Sequence, residues 1–145
     1  MKKQIYISLM TFGLFTALVV APVYAQFQNP ITVSVPFAFV VGEKQMPAGE
    51  YTIKSLINGS LHSKMLIRSK DGRNAVIVST MLAEANTIQK EAKLTFNRYG
   101  DQHFLSQVWT PDTNLGRALP KSDVEARIAG NGAHKDTVSV SASKR

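Results

Sequence analysis

The chain has 145 residues, with 17 Lys and Arg against 10 Asp and Glu, a formal charge of +7 and no cysteine. The length fits one domain, and the missing thiols exclude a disulfide framework, a cysteine-ligated metal and a lipidated cysteine anchor. The cations are scattered singly rather than in runs with interleaved aromatics, which speaks against nucleic acid and for a mildly basic, solvated surface.

Residues 1–25 read as a signal peptide. Lys2 and Lys3 form a basic start, Ile5 to Val20 is an apolar run of 16 residues, and Val23-Tyr24-Ala25 offers small residues where a signal peptidase cuts. A membrane anchor would need about 20 apolar residues, and Ser8, Thr11 and Thr16 interrupt this run. The expectation is export to the periplasm or beyond, with no stable membrane span once the leader is removed. Residues 26–145 would then carry 15 basic and 10 acidic side chains, a net charge of +5. A chain of that size buries about two-thirds of its unfolded surface and can stand on its own core. Residues 26–130 read as a single β domain and residues 131–145 as a tail.

Ile31 to Val41 alternates: Ile31, Val33, Val35, Phe37, Phe39 and Val41 point one way and their neighbours the other, the signature of a half-buried strand. Pro36 has no N–H for a ladder and should place the strand at an edge or bend it. Gly42 to Gly49 reads as a loop, and Glu50 to Ile57 as a second strand. Asn58-Gly59 and Asp71-Gly72 are favoured hairpin pairs. The Asp71-Gly72 turn predicts Ile67 opposite Val76, Leu66 opposite Ile77 and Met65 opposite Val78. Asn74 to Leu82 is a further strand, and Ala83 to Glu91 a polar connection or a single helical turn.

Ala92 to Thr110 predicts a tight hairpin about Gly100-Asp101, since a Gly-first loop suits a type II′ turn. Pairing outward from Tyr99 and Gln102 sets Arg98 against His103, Phe96 against Leu105, Leu94 against Gln107 and Ala92 against Trp109. Leu94, Phe96, Leu105 and Trp109 then share one face, with Phe104 and Val108 on the other. Residues after Trp109 look turn-rich. Ser122-Asp123-Val124-Glu125 has capping-box spacing and Gly130 suits a helix C′ position, so Ser122 to Ala129 is a short helix. Thr137 to Ala142 alternates weakly and could add a last strand. The elements together predict an all-β fold: a small antiparallel meander of about six to seven strands, closed as a barrel or arranged as a curled sheet or sandwich, with one short C-terminal helix.

The pieces VPFAFVVGEKQMPAGEY, LIRSKDGR, EANTIQKEAKLTFNRYGDQHFLSQVW and GRALPKS, spread over Val33 to Ser122, resemble a group of small exported bacterial proteins of the acidobacterial type that has no assigned function. The resemblance implies export and an all-β fold. It carries over no catalytic or binding residue.

Candidate chemistry gathers only at the predicted hairpin tip, where Arg98, His103 and Asp101 could make surface contacts. Ser106 lies three residues from His103, and residues i and i+3 of a strand project to opposite faces, so the two cannot form a nucleophile and base locally. His62, His103 and His134 are far apart and lack cysteine or paired acidic partners, so no metal or cofactor site is expected. Asn58-Gly59-Ser60 matches a glycosylation acceptor but is explained by its turn. Tyr51, Phe104 and Trp109 could line the mouth of a barrel. The functional expectation is an exported, non-catalytic structural or binding module acting through its surface, on an anionic envelope polymer or a protein partner. The alternatives are a carrier of a small lipid or glycan ligand in a β-barrel pocket, and an envelope hydrolase built on the hairpin tip.

Overall fold

A computed structural model describes residues 30–56 and 62–142, so the leader at residues 1–25 and the Asn58-Gly59-Ser60 turn lie outside the described residues. The elements in chain order are β1 (Ile31–Val35), β2 (Phe39–Val41), β3 (Lys44–Met46), β4 (Gly49–Ser55), β5 (His62–Ser69), β6 (Ala75–Gln89), β7 (Lys93–Tyr99), β8 (Gln102–Trp109), β9 (Thr113–Ala118), α1 (Asp123–Gly130) and β10 (Asp136–Ser141). Among the described residues ten strands form one curled, mixed sheet, in which β1, β4, β5, β6, β9 and β8 follow one another by antiparallel pairing. β8 holds β7 along one edge and divides the other between β9 and β2, the latter parallel through Val40 and Phe104. β10 pairs with β7 and comes near β1 without a ladder between them, so the sheet curls without closing. No helix among the described residues is long and apolar enough to cross a membrane.

The all-β reading with one short C-terminal helix holds, and several local expectations hold with it. Ile67, Leu66 and Met65 face Val76, Ile77 and Val78 in the predicted register. The loop is longer than a two-residue turn: Ser69 and Asn74 close it, an i to i+3 bond joins Gly72 N–H to the Ser69 carbonyl, and only Gly72 takes a positive φ. Gly100, at φ +60° beside an Asp101 of negative φ, is the pattern of the expected II′ turn. Ser122 caps α1 by accepting the Glu125 N–H at 3.1 Å. The C-terminal glycine differs, because α1 runs through Gly130 and the left-handed position falls on Gly132, whose N–H bonds the Ala129 carbonyl.

The strand order is not a meander. β1 pairs with β4, leaving β2 and β3 to form their own hairpin about Gly42, and β9 inserts between β6 and β8. The long alternating run breaks at Pro36: β1 ends at Val35 and β2 resumes at Phe39, so one sequence pattern serves two strands with different partners. β6 continues through the polar stretch to Gln89. That extension meets no hydrophobic alternation because most of its side chains are exposed or half-buried; it is held by its ladder to β9 and by Asn114 Nδ2 donating to Glu84 at 2.8 Å.

The hairpin of β7 and β8 departs most instructively. Its predicted register holds from the turn to Phe96 and Leu105, then shifts, so that Leu94 faces Val108 and Lys93 faces Trp109. Ser106 is the extra residue, and its hydroxyl donates to the Thr95 carbonyl at 2.9 Å. A bulge reverses the facing of every later residue. Val108 therefore joins Leu94, Phe96 and Leu105 in the core, while Trp109 turns to the outer side, donating Nε1–H to Thr95 Oγ1. There it remains only 8% exposed, because Gly116 opposite leaves a notch for the indole.

An interior cluster of Val33, Val35, Phe39, Val41, Tyr51, Ile53, Met65 and Ile67 meets Leu94, Phe96, Leu105 and Val108 from the hairpin. A methyl group on Gly116 would lie 2.5 Å from Trp109 Cε3 and 2.8 Å from the Val108 carbonyl oxygen. Gly116→Ala is therefore expected to destabilise the fold by about 1 to 3 kcal/mol. Denaturant unfolding measures that loss, and emission from Trp109, the one tryptophan of the chain, reports displacement of the ring.

Candidate functional site

The hairpin tip places Arg98 directly opposite His103, both on the interior side of the sheet at its open end. Their roles differ. His103 stacks on Phe37, with ring centroids 4.0 Å apart and planes 17° from parallel, and Phe37 in turn meets Phe96 edge to face at 5.1 Å. The bend at Pro36 lets Phe37 lie over this end of the core. Asp101 stays in the turn, exposed.

Burial pushes the His103 imidazole below its ordinary pKa and the Arg98 guanidinium adds to the effect. The main chain and carboxylate of Asp101 work the other way, yet no aligned hydrogen bond reaches the buried Nδ1. Lost hydration is thus the main cause that favours the neutral ring.

Arg98 finds its partner outside the predicted trio. β10 brings Asp136 opposite Arg98, with Nη2 and Oδ2 2.6 Å apart, and His134 Nε2 lies 3.2 Å from the same carboxylate. The Arg98 hydrogen bond is the main reason the Asp136 carboxyl titrates below its usual range. The two side chains are 43% and 45% exposed, so the pair contributes at most about 1 kcal/mol. Stacking on Phe37, rather than the ion pair, fixes the tip. Asp136 escaped the sequence reading because nothing in DTVSVS names β7 as the partner strand; its place beside a weak alternation was the only signal.

The chemistry available is narrow. Ser106 spends its hydroxyl on the Thr95 carbonyl, and no hydrogen bond joins it to His103. Among the described residues no group of His, Asp and Glu is arranged to hold a metal ion. Tyr51, Phe104 and Trp109 do not line a mouth. Tyr51 is in the core, donating its hydroxyl to the Pro47 carbonyl, and Phe104 packs edge to face on Tyr99 at 5.9 Å on the outer side.

That outer side is covered by α1. Glu125, buried at 3% exposure, accepts from Asn97 Nδ2 at 2.7 Å and from the Tyr99 hydroxyl at 3.3 Å. Its carboxylate is thereby turned toward the sheet rather than back to the cap. Burial and then the Glu125 charge raise the Tyr99 phenol. In the same first turn of α1 Glu43, from the β2–β3 turn, accepts the Asp123 N–H at 3.0 Å, an anion at a helix N-terminus where the dipole favours it.

A shallow depression of about 380 Å³ opens between the β3–β4 and β5–β6 loops, lined by Pro47, Ala48, Tyr51, Ser69, Asp71 and neighbours. The Lys70 to Glu50 ion pair, 2.8 Å long, stands at its edge. No family model, curated protein or solved structure matches the chain.

Because the folded state lowers the His103 pKa, the unfolded chain takes up its proton first as pH falls past the ordinary value of about 6.5. Stability is expected to be highest above that value and to decline as pH drops through it toward the lower folded pKa. His103→Phe, which keeps a ring over Phe37, should flatten this part of a pH series of urea midpoints, leaving the more acidic decline from Asp71 and Asp136, both lowered in the fold.

Proposed function

We propose that this protein is an exported, non-catalytic binding module that works through its outer surface on anionic components of the cell envelope. The observation that carries the reading is the outward face of β4 and β5, where Lys54, Lys64 and Arg68 are exposed and make no ion pair or hydrogen bond among the described residues. Cations without an ion-pair partner attract polyanions over a range set by ionic strength. The hairpin tip, by contrast, spends its polar groups internally: Arg98 on Asp136 and Ser106 on the main chain. That pattern favours binding over turnover.

An internal carrier draws less support. The 380 Å³ depression falls in the size range of ligand sites, roughly 300 to 1,000 Å³, but it is open and bounded by loops. The space between the strands is occupied by Phe39, Phe96, Tyr51 and Met46, each at 2% exposure or less.

The exported protein should be retained on an immobilised polyanion and elute as salt screens the contact. Lys54→Gln, Lys64→Gln and Arg68→Gln combined should elute at clearly lower salt, and a broad hydrolase screen should find no turnover above the blank. Elution of the triple variant with the parent, or turnover abolished by one polar substitution, would overturn the reading.

A further inference from the structure

Register builds the outward face of β4, β5 and β6 row by row. Thr52, Arg68 and Ala75 lie side by side, then Lys54, Leu66 and Ile77. Lys64 follows beside Ser79, and His62 beside Met81. Leu56 extends β4 at the same end, its N–H bonded to the Lys64 carbonyl. No Asp or Glu stands in these rows; Glu50, one row further along the same face of β4, is taken up by Lys70 at 2.8 Å. Ile77 is 57% exposed, Leu56 47% and Met81 44%, so the face presents apolar side chains and cations interleaved. Scattered exposed aliphatics are ordinary, but exposed apolar side chains gathered on one face among polar ones mark an interaction surface.

We propose that this face docks on an anionic lipid bilayer, with Lys54, Lys64 and Arg68 at the phosphate headgroups and Ile77, Leu56 and Met81 in the acyl boundary. The inference rests on the surface-binding reading above and names its partner. Two features choose the bilayer. A second copy seated face to face would set these cations against their own counterparts, and like charges across an interface repel. An anionic sugar polymer would satisfy the cations yet leave the aliphatic side chains in water. An anionic bilayer offers both environments within one side-chain length, negative groups above hydrocarbon. Lysine and arginine stems can lie along the aliphatic surface while their heads stay in the headgroup layer.

The test is flotation of the protein, recovered from the exported fraction of its producing cells, with vesicles of phosphatidylglycerol and phosphatidylcholine, against vesicles of phosphatidylcholine alone. Binding is expected to the anionic vesicles only. Each cation near such a surface contributes about fivefold in affinity, so Lys54→Gln with Lys64→Gln should weaken binding about 25-fold. Ile77→Ser with Met81→Ser should weaken vesicle binding at least tenfold while leaving retention on the immobilised polyanion unchanged. Trp109 emission checks that each variant is folded. No vesicle binding in a protein still retained on the polyanion, equal binding to neutral vesicles, or no effect of the aliphatic substitutions would each overturn membrane docking and leave the broader reading standing. Loss of both vesicle and polyanion binding would overturn the two together.

Discussion

A row of rings holds this fold together. His103 stacks on Phe37, Phe37 meets Phe96 edge to face, Phe96 meets Phe39 at 5.4 Å, and Phe39 meets Tyr51 at 5.1 Å, each of the last three contacts within 15° of perpendicular. Edge-to-face contacts add to ordinary area burial, and here they join residues from the β1–β2 bend, β2, β4, β7 and β8. Phe96, with no exposed surface, sits at the middle. Because the sheet does not close by hydrogen bonds between β1 and β10, contacts across its concave side must keep it curled. The row supplies such contacts along the interior, from the hairpin tip to the Tyr51 hydroxyl on Pro47.

The bulge at Ser106 lets one hairpin serve two packed layers. Before it, β8 sends Leu105 inward and Phe104 outward; after it, Val108 goes inward and Trp109 outward. Without the extra residue the large indole would enter an interior already occupied by Phe96 and Leu94, and Val108 would be left over the Gly116 notch. The bulge puts the large ring where a glycine makes room and the small side chain where space is limited. α1 then closes part of the outer layer through Glu125 on Asn97 and Tyr99, and Glu43 ties the β2–β3 turn to the start of the helix.

The same economy separates the polar residues. Arg98 at the tip and Asn97, Tyr99 and Glu125 under α1 are paired with other side chains, while His103 is stacked on Phe37, and the perturbed titrations of Tyr99 and His103 follow first from burial. The cations of β4 and β5 have no such employment, and the strands carrying them are rigid, since Tyr51, Ile53, Met65 and Ile67 alternate with them into the core. Binding by this face would therefore need little ordering of the protein, which is where surface contacts usually lose free energy.

Much of the local structure was legible in the residues themselves. The alternation of Val33, Val35, Phe39 and Val41, the register of β5 with β6, the turn at Gly100, the cap at Ser122 and the last strand all follow from period-2 patterning and turn chemistry, which act between near neighbours. Arg98 opposite His103 came from the same source. What the sequence could not determine was which strands lie side by side. β9 between β6 and β8, the parallel contact of β2 with β8, and Asp136 on Arg98 depend on distant pairings whose main-chain hydrogen bonds are the same for any side chain. The facing of Trp109 belongs to that class too, since a glycine seven residues on and a full interior, not any local preference, decided where the bulge must fall.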